Sequence, residues 1–365
     1  MKVLLSGGGT GGHIYPALAI AEELLRRDPD TDILYVGTKD GREAELVPHA
    51  GHRFATVDVR GMPRKISADM VPFALTLARG MRQAARIVRE FRPDIAIGTG
   101  GFVSGPVLYR AARAHVYTLI HEQNSYPGVA NRILSRYVDD IAVTFEDSIR
   151  YFPGSAKTTL TGNPIRSVFF DLQESPGVYQ KYHLEPQKKT VFIFGGSNGH
   201  QELNRAVIGM QDKFRNSPYQ MVLVAGPDHY EDIKDLFTAH NIRVFPYLFD
   251  IHEMYAHADL IVTSSGAITI AEIQAAGLGA ILIPKGYTTE NHQTKNALAV
   301  EKKGAALVLE EKDVTPERLF SSIDQLLSDP KKLDAMKKAS KSLAKPEAAK
   351  DIVDVALRGK SKKSS

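Results

Sequence analysis

One local pattern occurs twice, and it restricts the fold more than any other feature. Val3 to Ser6 is a short apolar run that ends in Gly7-Gly8-Gly9-Thr10-Gly11-Gly12-His13, with helix-spaced apolar residues following at Ala17, Leu18, Ile20, Ala21, Leu24 and Leu25. Thr190 to Phe194 ends likewise in Gly195-Gly196-Ser197-Asn198-Gly199-His200. Glycine in a strand-to-helix turn lets the backbone approach a ligand, and the helix amino terminus offers N–H groups and a positive dipole to an anion. A phosphate or pyrophosphate at each turn is the natural reading. Pro16 suits a first helical turn. Gly7, Gly9 and Gly12 also meet the dinucleotide fingerprint, but that reading wants an acid for the ribose at the end of the second strand, where Gly37-Thr38-Lys39 stands.

A rhythm of strands and helices surrounds the turns. Val3 to Ser6, Ile33 to Val36, Ile95 to Gly98, Val116 to Ile120 and Ile141 to Thr144 alternate with helical patterns. After a break at Thr161-Gly162-Asn163-Pro164 the rhythm restarts with Thr190 to Phe194, Gln220 to Ala225, Ile242 to Phe245, Leu260 to Thr263, Ala280 to Ile283 and Ala305 to Leu309. A chain of 365 residues exceeds one core. The expected class is α/β, with two doubly wound, Rossmann-like domains facing a cleft at the carboxyl ends of their strands. The domains are read as 1–162 and 163–342. A helix over 343–358 is expected to pack back on the first domain, and the lysine-rich tail 359–365 to be disordered.

Composition closes several classes. Apolar residues are 43% and charged residues 24%, which fits a globular protein, and the absence of cysteine removes disulfides, thiolate metal sites and a thiol nucleophile. The first residues run straight into the glycine turn and no apolar run approaches the ~18 residues of a spanning helix, so neither a secretory signal nor a membrane span is expected. A net charge of +4 argues for no nucleic-acid partner. The charge is concentrated: Arg60, Arg64, Lys65, Arg79, Arg82, Arg86, Arg89 and Arg92 stand against Asp69 and Glu90. Val71 to Arg92 interleaves Val71, Phe73, Leu75, Leu77, Met81, Ile87 and Val88 with five arginines. It reads either as a core-packed amphipathic helix or as a surface for anionic lipids. Asp28-Pro29-Asp30-Thr31-Asp32 contains Asp-x-Asp twice but precedes a strand, at the end away from the cleft, so it reads as a solvated turn and no metal is expected.

Five ordered blocks add to this reading: Gly7 to Pro16 (GGGTGGHIYP), Gly98 to Pro106 (GTGGFVSGP), His121 to Gly128 (HEQNSYPG), Thr161 to Arg166 (TGNPIR) and Ser265 to Gly277 (SGAITIAEIQAAG). With them the chain resembles the MurG-type N-acetylglucosaminyltransferases of peptidoglycan synthesis over nearly its whole length. The resemblance implies a GT-B enzyme that moves GlcNAc from UDP-GlcNAc to the C4 hydroxyl of undecaprenyl-pyrophosphoryl-MurNAc-pentapeptide (lipid I), with inversion, giving lipid II. It also implies a peripheral protein on the cytoplasmic face of the cell membrane, serving cell shape and division beside other cell-wall assembly proteins, without a cofactor.

An inverting transfer needs a base, and His13 matches it; the alternative is a histidine that only orders the loop. The resemblance implies donor contacts from Thr10, Gly11, Gly12, Arg166, Gly196, Ser197, the Leu248 backbone, Ser265, Ala267, Ile268, Thr269, Glu272 (ribose hydroxyls), His292 and Gln293, with Asn296 beside them. Acceptor contacts fall to Gly9, Thr99, Gly100, Gly101, Glu122, Gln123 and Asn124. Arg166 suits either a phosphate or a brace after the linker. Three positions depart from the family: His200 stands where alanine is usual, Ser264 where arginine is common and Gly279 where proline is usual. An imidazole at 200 is expected to crowd the donor pyrophosphate. Rival readings are a UDP-GlcNAc 2-epimerase, a divergent paralogue and a scaffold that has lost activity.

Overall fold

Runs such as Val3-Leu4-Leu5 and Val191-Phe192-Ile193 are fully buried, as strands covered on both faces of a parallel sheet must be. The computed structural model describes residues 1–61, 63, 70–196, 199–286 and 291–364. They form two units, Met1–Arg166 with Glu347–Ser365, and Ser167–Pro346.

In the first unit the chain runs β1 (Lys2–Gly7), α1 (Gly11–Arg27), β2 (Asp32–Gly37), α2 (Glu43–His49), β3 (Arg53–Thr56), α3 (Met70–Phe91), β4 (Ile95–Gly100), α4 (Ser104–Arg113), β5 (Tyr117–Glu122), α5 (Val129–Leu134), β6 (Asp140–Val143) and β7 (Thr158–Leu160). The sheet is parallel with order β3-β2-β1-β4-β5-β6-β7, and Val3 lies opposite both Ile33 and Ile95. Strand order therefore reverses between β1 and β4, which is where such sheets bind ligands. Leu4, Val36, Ala96 and Ile120 pack under Val88, Phe91, Val107 and Leu108 on α3 and α4. Truncating Leu108, which is fully buried, should cost about 2–5 kcal/mol.

The second unit runs α6 (Pro176–Lys181), β8 (Lys189–Phe194), α7 (Gln201–Arg215), β9 (Tyr219–Val224), α8 (Pro227–Ile233), β10 (Ile242–Phe245), α9 (Ile251–His257), β11 (Leu260–Thr263), α10 (Ala267–Ala276), β12 (Gly279–Leu282), α11 (His292–Glu301), β13 (Leu307–Val308), α12 (Pro316–Leu327) and α13 (Pro330–Ser342). Its sheet order is β10-β9-β8-β11-β12-β13, parallel throughout, so the reversal falls between β8 and β11. Caps follow side-chain chemistry: Thr315 Oγ1 accepts from Arg318 N at the start of α12, and α10 stops at Gly277, whose φ of 70° is the left-handed region. Helix α14 (Ala348–Ser364) then returns to the first unit, against α1, β5 and β6.

Four features differ from the sequence reading. Strands β3 and β7 are short edge strands with no alternating pattern, and local periodicity did not mark them. The first unit extends to Arg166, beyond 162, because Asn163 and Ile165 are buried in it and Gly162 O accepts from His121. Pro16 lies inside α1, not in its first turn, because the helix already begins at Gly11. The tail expected to be disordered is helical through Ser364, since Lys363 Nζ reaches Asp139 at 2.8 Å and Val116 O at 3.0 Å while Lys360 pairs with Asp94 at 3.2 Å. Ser365 is outside the described residues.

Candidate active site

In the first unit the switch point brings together the ends of β1, β4 and β5. His13, in the first turn of α1, directs Nδ1 at Thr99 O (2.9 Å) and Gln123 Oε1 (3.2 Å), while Thr99 Oγ1 donates to His13 O at 2.6 Å. Gly100 makes this approach possible. Its φ is 104°, and a Cβ there would lie 2.7 Å from His13 Nδ1. Gln123 Nε2 in turn donates to Thr99 O (2.7 Å) and lies 3.1 Å from His121 Nδ1, while His121 Nε2 meets Gly162 O at 3.0 Å. Gly9 and Thr10 are exposed beside this cluster, Gly12 and Gly101 are half-buried, and Gly11 opens the helix.

The acceptor block divides in two. Gly9, Gly101 and Asn124 reach solvent, whereas Glu122 and Gln123 are 1% and 2% exposed. The Glu122 carboxylate accepts from Asn124 N (3.0 Å), Gly128 N (3.0 Å) and Asn131 Nδ2 (2.9 Å), so it shapes the loop. The polar atoms of Glu122 and Gln123 are thus turned inward and hydrogen-bonded within the protein. Thr99 is likewise fully buried and meets His13 through both its backbone carbonyl and its hydroxyl.

Glu43 is a residue that local pattern did not reveal. It is fully buried beneath the first glycine turn and accepts from Gly9 N (3.1 Å), Thr38 N (3.0 Å) and Thr38 Oγ1 (2.7 Å). A Cβ on Gly8 would lie 2.4 Å from its carboxylate, so this glycine admits Glu43 to the turn. One N–H of the turn is thereby already taken by the Glu43 side chain. Burial and the Glu43 charge together push the Tyr35 phenol well above its ordinary pKa, and Tyr35 donates to Gly7 O at 2.7 Å. Arg166 lies over the Tyr15 ring at 4.8 Å from its centroid. This ties Arg166 to α1 within the same unit by a cation–π contact.

In the second unit the ends of β8, β11 and β12 meet the amino termini of α7, α10 and α11. Ala267, Ile268 and Thr269 form the first turn of α10 behind Gly266, so their N–H groups lie at the positive end of the helix. Ser265 Oγ donates to Gln293 O (2.8 Å), and Gln293 Oε1 accepts from Lys285 N (3.0 Å), which ties α11 to β12. Asn296, buried on α11, reaches Ser265 O at 3.5 Å, and His292 begins that helix. Glu272, on the second turn of α10, is 6% exposed and accepts from Tyr255 Oη at 3.3 Å. Leu248 follows β10 toward the same end of the sheet. Gly196, two residues beyond β8, is in the left-handed region; Ser197 lies outside the described residues.

His200 does not protrude into the turn. It is 1% exposed and its Nε2 donates to Glu311 Oε1 at 2.6 Å, so the crowding expected there gives way to an inward pair. Burial lowers the His200 pKa and the Glu311 hydrogen bond opposes this. Ser264 is buried near Gly196, and a cation comes from elsewhere: Lys285 Nζ donates to Gly199 O at 2.6 Å. Burial holds this ammonium below its ordinary pKa, opposed by the Glu311 charge. Lys285 and Glu311 lie 86 and 111 positions from their partners, and nothing local signalled them.

The two Asp-x-Asp repeats link the end of α1 to the amino end of β2. Asp28 accepts from Asp30 N and Thr31 Oγ1, and Asp32 pairs with Arg53 at 2.7 Å. Helix α3 buries Gly80, Ala84, Val88 and Phe91 in its second half, while Val71, Leu75 and Leu77 are 66%, 68% and 37% exposed in its first. Where α3 and α4 end, Arg89, Arg92, Arg110 and Arg113 line a groove of about 480 Å³ floored by Val88 and Pro93. Arg64, Lys65 and Asp69 are outside the described residues.

Two Rossmann-like sheets, each reversing its strand order beside a glycine turn that leads into a helix, place the chain in the GT-B class of folds. Models of the glycosyltransferase family 28 N-terminal and C-terminal domains match residues 3–143 and 190–352. The UDP-N-acetylglucosamine--N-acetylmuramyl-(pentapeptide) pyrophosphoryl-undecaprenol N-acetylglucosamine transferase of Finegoldia magna is 49% identical over 98% of this chain and 98% of that protein. Its namesake in Halalkalibacterium halodurans is 44% identical over 96% of this chain and 98% of that one. The chain belongs to this family of N-acetylglucosamine transferases within glycosyltransferase family 28. The crystal structure of Acinetobacter baumannii MurG matches with a TM-score of 0.71 and 26% identity, covering 98% of this chain and 99% of that one. A UDP-GlcNAc 2-epimerase from Neisseria meningitidis, bound to UDP-GlcNAc, matches with a TM-score of 0.69 at 16% identity over 98% and 100% of the two chains, a likeness of fold alone.

Proposed function

We propose that the protein transfers GlcNAc from UDP-GlcNAc to the C4 hydroxyl of undecaprenyl-pyrophosphoryl-MurNAc-pentapeptide, inverting the anomeric centre and releasing UDP. The observation that carries this reading is the 49% identity to a relative of that name over 98% of both chains. His13 Nε2 takes the hydroxyl proton as the acceptor oxygen bonds to the anomeric carbon and the bond to UDP breaks. Charge on the departing diphosphate is met by N–H groups at Gly196 and the first turn of α10, with Lys285 beside Gly199. Gln293 and His292 approach the sugar, Glu272 the ribose and Leu248 the base. Asn124, Gly9, Gly100 and Gly101 meet the acceptor, with Thr10, Gly11 and Gly12 at the diphosphate.

The lipid acceptor places the enzyme at the cytoplasmic face of the membrane, where the product feeds wall synthesis and so cell shape and division. The exposed Val71, Leu75 and Leu77, with the arginines of α3, support contact with an anionic surface. Among the described residues no helix is long and apolar enough to cross a membrane. The test is transfer of radiolabelled GlcNAc from UDP-GlcNAc to a lipid I analogue by purified protein, with and without EDTA. Transfer that survives the chelator is the expected result. UDP-GlcNAc binding without transfer would favour a 2-epimerase or a paralogue with another acceptor, and absence of both a scaffold.

A further inference from the structure

The cluster behind His13 has a single consistent proton arrangement, which follows from groups that cannot change role. Backbone carbonyls only accept. His121 Nε2 lies 3.0 Å from Gly162 O and must carry a proton, which leaves Nδ1 of the neutral ring as an acceptor. Burial, outweighing the Gly162 hydrogen bond, lowers the His121 pKa to about 4, so the ring is neutral at physiological pH. Gln123 Nε2 lies 3.1 Å from that Nδ1 and 2.7 Å from Thr99 O, an acceptor for each of its two hydrogens. Turning the amide over would set Oε1 against two lone pairs. Oε1 therefore faces His13 Nδ1 at 3.2 Å, and Thr99 O faces the same nitrogen at 2.9 Å. Two acceptors on Nδ1 require the proton there, which in the neutral ring leaves the lone pair on Nε2.

We infer that Gln123, oriented by His121, is a positioning residue that holds His13 as its Nδ1–H tautomer, keeping Nε2 unprotonated for the acceptor hydroxyl. The inference rests on the reading of His13 as the base. It separates Gln123 from the acceptor contacts that its place in the HEQN block suggests, since the side chain is 2% exposed and its amide is engaged on both sides. A histidine base held in the wrong tautomer retains its position and loses its function, which in the serine-protease triad costs about 10⁴ in turnover. Here Thr99 O still favours the right tautomer when Gln123 is replaced, so a smaller loss is expected.

The test combines spectroscopy with kinetics on the full chain. Long-range ¹H–¹⁵N spectra of ¹⁵N-histidine protein, with His13 assigned by its disappearance in His13→Ala, should show a protonated Nδ1 and an unprotonated Nε2. In Gln123→Met the His13 signals should shift toward a mixture of tautomers. Turnover should fall roughly tenfold, with KM for UDP-GlcNAc and for the lipid I analogue within about twofold of wild type. A wild-type His13 protonated at Nε2 overturns the inference without reliance on any variant. So does a Gln123→Met enzyme with raised acceptor KM and unchanged turnover, the behaviour of an acceptor ligand. Near-normal turnover of His13→Ala would remove the base reading and leave the tautomer result standing on its own.

Discussion

His121 ties the stability of the first unit to pH. The ring is fully buried between Gln123 and Gly162 O, and its pKa falls from the ordinary 6.5 to about 4. The folded state therefore disfavours the proton that the unfolded chain takes up below pH ~6.5. The stabilisation is fully present above that pH and is lost as pH falls toward 4. A shift of about 2.5 units corresponds to about 3.4 kcal/mol once pH is well below 4, of which about 2 kcal/mol is already gone at pH 5. Carboxylates titrate in part of the same window, so the measurement is a difference. Urea unfolding would be followed from pH 7.5 to 4.5 in wild type and in His121→Gln, which retains an acceptor and donors without a titrating ring. The gap between the two stabilities should narrow by about 2 kcal/mol between pH 7 and pH 5. A gap independent of pH would refute the assignment of a neutral, buried imidazole.

Three further outcomes follow from other contacts. Glu43→Ala removes the acceptor of three hydrogen bonds under the first glycine turn; with the Gly9 and Thr38 N–H groups left to rearrange, chemical denaturation should show a loss of about 2–4 kcal/mol. Lys285→Met removes the ammonium at Gly199, and calorimetry should show UDP-GlcNAc affinity reduced roughly tenfold with the thermal midpoint nearly unchanged; unaltered affinity would take Lys285 out of the donor site. Leu75→Glu, at a position 68% exposed, should weaken sedimentation with anionic vesicles roughly tenfold while leaving stability within about 0.5 kcal/mol. Undiminished vesicle binding would count against α3 as the membrane face.

What could be read from the sequence was what sequence neighbours determine. The glycine turns, the β-branched runs and the amphipathic helices are set within a few residues, and both sheets emerge from them. His13 was legible because it directly follows the glycines. Contacts between distant residues were not legible. Glu43 is 34 positions from Gly9, and nothing in its neighbourhood distinguishes a buried carboxylate from a helix-start acid. Glu122 ends a strand buried on both faces and Gln123 follows it, so alternation could not show that their polar atoms turn inward. The tail read as disordered because its lysines have no local partner; Asp139 and Asp94 hold it in helical form from afar.

We propose His13, through Nε2, as the base for sugar transfer. The most direct test is GlcNAc transfer by wild type and His13→Gln at saturating lipid I analogue, with UDP-GlcNAc affinity measured separately. Turnover in the variant is expected to be lower by about 10²–10⁴, with donor affinity within about twofold. A variant that turns over at close to the wild-type rate would contradict the proposal.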